Sequence, residues 1–455
     1  MTSYVELKSR HCQDLFAQLP EMIARIGWSP EQLRVERDRR LRELITVAVE
    51  RSAWHRARLS GLDLTAVTED TPAGIPTMTK DDLLGHFDDI VTDPRLSRDV
   101  VEAHLRDLHD DAYLLDRYHA FASGGSSGRR GVFVYGWDAW ASCAAGILRW
   151  RVSWQCSTGL ERLVMASVSA AHASHMTAAM MSTFSSPRLA VHRFPVTLPL
   201  AEIVEGINAL QPDMLHGYPS VMRLLALESR AGRLRISPRR IAVGSEPLLP
   251  ETRELLATTW GVSIENVYAT SEAGGIAGTC PDGLGLHLND DLVIIEPVDT
   301  DGHPTPIGEL SAKVCLTCLY NHDLPLIRYE LDDQVRVLPQ RCGCGSAMTA
   351  IEDVHGRSND SFHYGNGVVA HPLIFSTILG RAAEVAEYQV HQTERGADVL
   401  VQPADQATDL PALRCDLETG LATLGIPHPE VTLRIVNTIP RQTTGKTRRF
   451  VPLAT

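Results

Sequence analysis

The sequence predicts an α/β protein: a large N-terminal domain of layered sheets and helices with a small strand-rich subdomain, followed by a small α+β C-terminal domain. Three observations predict it. Between about Tyr113 and Val298, short apolar runs such as Leu163 to Val168 and Ile241 to Val243 each lead into Gly- or Pro-containing turns and helical stretches. That alternation is expected of strands layered with helices. From Leu292 to Val337 strand patterns predominate, with turn signals at Asp299 to His303 and Asn321 to Asp323. Beyond Gly356 the polar segment HGRSND opens a final region of roughly a hundred residues with strand, helix and strand patterns.

The boundary is expected between residues 358 and 359, giving domains over 1–358 and 359–455. The first hundred or so residues, to about 110, place charged and apolar positions at helical spacing, as from Arg37 to Arg51, and read as surface helices. A chain of 455 residues exceeds what one hydrophobic core usually supports, so two or more domains are expected. Hydrophobic content of 44% with 22% charged residues is ordinary for a globular chain and excludes the disordered and fibrous classes. Acidic residues outnumber basic ones, and the resulting formal charge of -13 opposes nonspecific binding to nucleic acid or anionic membranes. No nucleic acid and no membrane partner is therefore expected. The start, MTSYVELKSRHCQDLF, lacks the basic-then-apolar layout of a secretory signal, and Val164 to Met181 is too polar to span a bilayer. A cytoplasmic protein is the expectation. A homodimer is compatible with the sequence. Nine cysteines, an odd number spread over a long chain, favour reduced thiols with one metal site over a disulfide framework.

Residues Ser123 to Gly131 read SGGSSGRRG after the apolar approach Tyr118 to Ala122. The glycines free the backbone to turn its amides toward an anion, Ser126 and Ser127 add hydroxyl donors, and Arg129 and Arg130 add positive charge. A phosphate cradle and a plain surface loop are both open on this segment alone. No Gly-Lys-Ser/Thr follows at P-loop spacing, which disfavours that class.

Further along stand GSEPL at Gly244 to Leu248, YATSE at Tyr268 to Glu272, RYELDD at Arg328 to Asp333, GRSND at Gly356 to Asp360 and TGKTRR at Thr444 to Arg449. In order and spacing, together with the Gly/Ser loop, they resemble the adenylate-forming superfamily, and within it the phenylacetate–coenzyme A ligase branch, over nearly the whole chain from about Tyr113. The resemblance implies a large adenylation domain with a mobile C-terminal lid. It implies that Ser123, Gly125, Ser126, Ser127 and Gly128 hold ATP phosphates, although Arg130 replaces the usual proline after the loop. Gly244, Ser245, Glu246 and Pro247 are implied to form the wall beside the adenine. Tyr268 would stack on the purine, Ser271 touch phosphate and Glu272 ligate Mg2+. Asp333 would accept from the ribose hydroxyls, and Arg357 support ribose and phosphate. Asn359 falls on the hinge position, commonly Asp or Lys in the family. Lys446 matches the lid lysine that approaches the carboxylate and α-phosphate. Glu272, Arg357 and Lys446 are thus the implied catalytic set.

The implied reaction is activation of a small carboxylic acid, aryl or otherwise compact, as an acyl-adenylate with release of pyrophosphate, then transfer to the thiol of coenzyme A. Delivery to a carrier protein, an amine or another nucleophile is the alternative, and a noncatalytic nucleotide-binding protein on the same fold is a third reading. His172, His175 and Tyr218 lie where the family's acyl pocket runs.

Cys280 and His287 stand as C-x6-H, followed much later by Cys342 and Cys344 as C-x-C. Three thiolates and an imidazole make a closed tetrahedral shell suited to structural Zn2+, and the phenylacetate ligase branch commonly carries a zinc site of this layout. Cys315 and Cys318 form a competing C-x2-C, but LSAKVCLTCLY reads as a strand, on which residues three apart face opposite sides. The spacing of His172 and His175 fits one helical face, without a carboxylate or thiolate nearby to complete a metal site.

Overall fold

The computed structural model describes residues 4–63, 67–68, 74–123, 131–158, 163–170, 173–184, 188–280, 285–357, 360–365, 367–370, 372–380, 382, 384–404, 410–442 and 446–453. The chain divides into two compact units interleaved in sequence. The first comprises Met1–Leu163, Ala171–Ala190 and Glu265–Val354, and the second Val164–Ala170, Val191–Ile264 and His355–Thr455.

The first unit opens with helices Tyr4–Ala24 and Pro30–Arg51. The second of these starts where it does for a local reason. Ser29 accepts from the Gln32 amide, Gln32 returns its side chain to the Ser29 amide, and Pro30 occupies the first turn, where a missing N–H costs nothing. Its buried residues Leu33, Leu41, Leu44, Ile45 and Ala48 form an apolar stripe, which Asp38 joins as a buried carboxylate. Strands His119–Ala122 and Val132–Tyr135 pair antiparallel with Ala122 opposite Val132, so the Gly/Ser segment connects the two strands of a hairpin. Strand Ile264–Thr270 pairs antiparallel with Gly274–Thr279, which pairs antiparallel with Leu286–Leu288, which pairs antiparallel with Ala350–Ile351. A separate antiparallel sheet of Val293–Val298, Lys313–Cys318 and Tyr329–Leu331 forms the strand-rich part. Cys315 and Cys318 are both buried in it.

Helix Trp137–Thr158 carries Arg149, whose guanidinium is fully buried and bonds both oxygens of the equally buried Asp291, at 3.1 and 2.7 Å. Its Nε also donates to Asn289 at 2.8 Å. The Arg149 charge is balanced by the ionised carboxylate of Asp291, held low by that guanidinium in spite of burial.

The second unit contains parallel strands Leu163–Ser169, Met214–Gly217 and Arg240–Gly244, with Met165 opposite Met214 and Met214 opposite Arg240. Helices Leu200–Leu210 and Pro219–Arg230 make the crossovers between them, as parallel pairing requires. Gly217 is dictated by a close approach: a Cβ there would meet the Val168 carbonyl oxygen at 2.5 Å and the Met222 methyl at 2.6 Å. The apolar core under these strands includes Ala166, Val168, Leu215, Ile241 and Val243 from the strands and Val221, Met222 and Leu225 from a helix.

The C-terminal part has a four-stranded sheet. Val385–Gln392 pairs antiparallel with Gly396–Pro403 and parallel with Phe450–Val451, and Gly396–Pro403 pairs parallel with Glu430–Ile435. Helices Leu373–Leu379 and Leu410–Thr423 complete a core that includes Phe362, Phe375, Tyr388, Val399, Leu417 and Phe450. This is the strand, helix and strand arrangement expected beyond Gly356. Among the described residues, no helix is long and apolar enough to cross a membrane.

Candidate active site

In the second unit, the chemistry-bearing residues gather at the carboxyl ends of the parallel strands, where ligands bind in open α/β sheets. Ser167 on the first strand lies 3.0 Å from His216 Nδ1 on the second, and 3.3 Å from Ser169. Tyr218 follows that second strand directly. Its buried hydroxyl accepts from the Ala170 amide at 3.0 Å, and burial pushes its pKa up to about 12, so it stays a neutral phenol. Gly244 ends the third strand, and Ser245 after it takes φ +67°, a left-handed conformation costly for a residue with a side chain. After that turn, Glu246 reaches the start of the earlier helix Pro219–Arg230. Its carboxylate accepts from the amides of Ser220 at 3.1 Å and Thr447 at 3.0 Å, while Pro247 is exposed.

Lys446 and Thr447 are tied to the backbone around Arg441. Arg441 pairs antiparallel with Thr447, and the Gln442 amide donates to the Lys446 carbonyl at 2.9 Å. The Lys446 ammonium lies 5.9 Å from the centroid of the Tyr218 ring, within range of a cation–π attraction. Arg441 donates to Ser220 Oγ at 3.3 Å and to both oxygens of Glu387, at 3.3 and 3.2 Å. Glu387 in turn accepts from Thr447 Oγ1 at 2.9 Å. A ring of hydrogen bonds therefore runs from Glu246 through Ser220, Arg441, Glu387 and Thr447 back to Glu246. Burial raises the Glu387 carboxyl above the usual range, against the opposing pull of Arg441 and Arg449.

In the first unit, Tyr268 and Asp333 are both buried, and the Tyr268 hydroxyl donates to Asp333 Oδ2 at 2.8 Å. Ser271 and Glu272 follow the same strand and are half-buried; the Ser271 carbonyl accepts from Tyr135 at 2.8 Å. Ser123 and Gly131 close the ends of the Gly/Ser segment: the Ser123 amide donates to the Gly131 carbonyl, and the Gly131 amide to Ser123 Oγ, both at 2.9 Å. Gly125, Ser126, Ser127 and Gly128, with Arg129 and Arg130, lie outside the described residues, as do His172 and Asn359. His175 is half-buried and immediately precedes helix Met176–Thr183 as its N-cap residue. The helical-face premise for the histidine pair therefore does not hold for His175. Arg357 is exposed, in a two-residue strand with Gly356.

The first unit also assembles Cys280, His287, Cys342 and Cys344, whose ligand atoms all lie within 4.8 Å of one another. Cys280 and Cys342 place their sulfurs 3.0 Å apart, and Cys344 Sγ lies 3.3 Å from His287 Nε2. His287 Nδ1 sits 2.9 Å from the Met348 carbonyl. That bond puts the proton on Nδ1 and leaves Nε2 as the lone-pair donor, the arrangement a metal-binding imidazole needs. Trp150 stacks on the ring at 5.3 Å and 12°, fixing its plane. Gly345 supplies a positive φ in the turn after the C-x-C pair. The donor set and its geometry fit a tetrahedral metal.

Sequence reasoning missed Glu387 and Arg441. The available signal was a carboxylate at an inward position of the strand VAEYQVHQ, where every neighbour but one is buried.

No protein-family model matches the sequence, and no curated protein does. Solved structures do match. The chain shares the α/β fold of solved acyl-CoA ligase structures, with a large domain built on a mixed sheet and a small C-terminal α+β domain. It is similar to a 2-hydroxyisobutyryl-CoA ligase in the postadenylation state in complex with R3-HIB-AMP, with TM-score 0.70 and 19% identity over 91% of this chain and 88% of that one. It is similar also to an anthranilate CoA ligase in complex with anthranoyl-AMP, with TM-score 0.50 and 16% identity over 72% and 65% of the two chains. A benzoate CoA ligase from Burkholderia xenovorans LB400 matches with TM-score 0.50 and 17% identity over 70% and 66%.

Proposed function

We propose that the protein is an AMP-forming acid ligase that activates a small, aromatic or otherwise compact carboxylic acid as its acyl-adenylate and passes the acyl group to the thiol of coenzyme A. The observation that carries this reading is the meeting of three segments read separately in the sequence. Lys446 of TGKTRR lies over Tyr218, in the stretch HGYPS from His216 to Ser220, while Thr447 bonds Glu246 of GSEP. The finer likeness to phenylacetate–coenzyme A ligases, and a domain boundary at 358/359 with Asn359 as hinge, belong to the same proposal.

In this reading the acid's carboxylate attacks the α-phosphorus in line and pyrophosphate departs. Negative charge grows on phosphate oxygens, and catalysis is positioning plus electrostatic stabilisation. Lys446 supplies a positive charge to the carboxylate and α-phosphate. The Gly/Ser segment Ser123, Gly125, Ser126, Ser127 and Gly128 holds the ATP phosphates. Tyr268 presents its ring to the purine and fixes the Asp333 carboxylate, which accepts from the ribose hydroxyls. Arg357 supports ribose and phosphate. Ser271 touches phosphate, and Glu272 offers the hard oxygen that a triphosphate-bound Mg2+ takes. No side chain acts as a nucleophile. The Cys280, His287, Cys342 and Cys344 set would hold a structural Zn2+ that joins three chain segments without entering the reaction.

The test is pyrophosphate release from ATP across a panel of carboxylic acids, followed by coenzyme A, carrier protein or hydroxylamine with product identification by mass. Acid-dependent release with a coenzyme A thioester product is expected. Nucleotide binding with no acid-dependent release overturns the reading in favour of a noncatalytic nucleotide-binding protein; an acyl-carrier or amide product redirects the second step alone.

A further inference from the structure

Glu387 and Arg441, two members of the hydrogen-bonded ring beside Lys446, have no part in the chemistry derived above, yet Glu387 bonds and Arg441 pairs with Thr447, the residue that follows that lysine. The paired residues Arg441 and Thr447 both bring their side chains to one carboxylate, Glu387, at 3.2 and 2.9 Å. Glu387 thus clasps the two paired residues together. The remaining links tie the clasped pair outward. The Thr447 amide reaches Glu246 at 3.0 Å, and Arg441 reaches Ser220 Oγ at 3.3 Å. Glu246 itself holds the Ser220 amide, so both outward links end on adjoining groups beside Tyr218.

This arrangement needs an explanation beyond stability. A carboxylate as buried as Glu387 is costly to ionise, and an apolar pair in its place is often at least as stable. What an ion pair adds is direction. Arg441 offers a rigid fork and Glu387 two oxygens, which fix the paired residues in register where apolar packing would let them slide. A lysine carries four rotatable side-chain bonds. Its head group stays on target only if its backbone is held, and Thr447 is the next residue along.

We propose that Glu387 and Arg441, acting through Thr447, are positioning residues that hold the Lys446 ammonium for adenylate formation. The inference rests on the adenylating reading above and adds to it the device that sets the lysine. Neither Glu387 nor Arg441 touches the reacting atoms. Their loss leaves the nucleotide's own contacts in place and lets the ammonium wander, so the effect falls on the chemical step.

The test uses the full-length protein and the acid that gives the highest rate of pyrophosphate release. Thr447→Val keeps the side-chain shape and removes the hydroxyl that Glu387 accepts. Its kcat for acid-dependent release is expected to fall about tenfold, with the KM for ATP within about twofold of wild type. Thr447→Ser restores the hydroxyl and is expected to recover most of the rate. Glu387→Gln removes the ion pair and should lower kcat at least as far. Should it fail to fold, the two Thr447 variants decide the matter. A Thr447→Val enzyme with wild-type kcat, a parallel rise in the KM for ATP, or a Thr447→Ser enzyme as slow as Thr447→Val overturns the positioning role while leaving the ligase reading intact. Wild-type protein that releases no pyrophosphate with any acid overturns both.

Discussion

Tyr268→Phe removes one atom and so isolates one bond. The hydroxyl donates to Asp333 at 2.8 Å, and both residues are buried. The ring, and any stacking it does, is untouched. A hydrogen bond to a charged acceptor contributes roughly 1.5–3 kcal/mol. The contact exists in the protein without nucleotide, so part of that loss falls on folding and cancels from binding. The part that orients the Asp333 oxygens toward the ribose hydroxyls does not cancel. Assigning about 1.4 kcal/mol to it gives a KM for ATP about tenfold higher. The KM for the acid and kcat should stay within about twofold, because the acid and the α-phosphorus are not what Asp333 meets. Steady-state pyrophosphate release at varied ATP, read beside thermal denaturation of the same preparation, separates the two shares. A lower midpoint of unfolding with an unchanged KM for ATP would show that the bond serves the fold alone and refute the ribose role of Asp333.

Three further outcomes follow from the same structure. Lys446→Ala should abolish adenylate formation while leaving ATP binding largely intact; equal pyrophosphate exchange by variant and wild type contradicts its role. Elemental analysis of purified protein should find one zinc per chain, and Cys342→Ser, which breaks the 3.0 Å sulfur pair with Cys280, should lose the metal and unfold at lower temperature. A metal-free wild type contradicts the site. Stability should fall in acid because burial holds His55 down to about 4 from the usual 6.5, with buried His11 and His119 also lowered chiefly by burial. The unfolded chain takes up protons there that the folded chain refuses. The stabilisation is thus complete above about pH 6.5 and lost as pH falls toward 4, at up to ~1.4 kcal/mol per pH unit for each histidine. His55→Gln should flatten the slope of the denaturation midpoint against pH over that range, and an unchanged slope removes His55 from the account.

Legibility in the sequence followed the range of the physics involved. Strands such as Leu163–Ser169 and Arg240–Gly244 were visible because an apolar run bounded by turn residues is a local signal. The Cys280, His287, Cys342 and Cys344 set was visible in spite of its long gap, because thiols and imidazole in short pairs are rare without a reason. Cys315 and Cys318 were separable from it by strand periodicity alone. The spacing of His172 and His175 fits a helical face, but His175 stands one residue before its helix, which starts at Met176, a boundary that spacing alone does not mark. The ring around Glu387 was out of reach: Glu246, Ser220, Arg441 and Thr447 reach it from separated segments, and no short-range pattern encodes a tertiary hydrogen bond. Even so, a glutamate within a buried strand, Val385–Gln392, marks a group that must have found a partner.

The fate of the α-phosphate decides whether an acyl-adenylate forms. Enzyme incubated with α-labelled ATP and an accepted acid, then quenched within a single turnover, should carry the label in an acyl-adenylate that hydroxylamine converts to a hydroxamate and labelled AMP. Label recovered as ADP, or remaining in ATP whatever acid is supplied, contradicts the account.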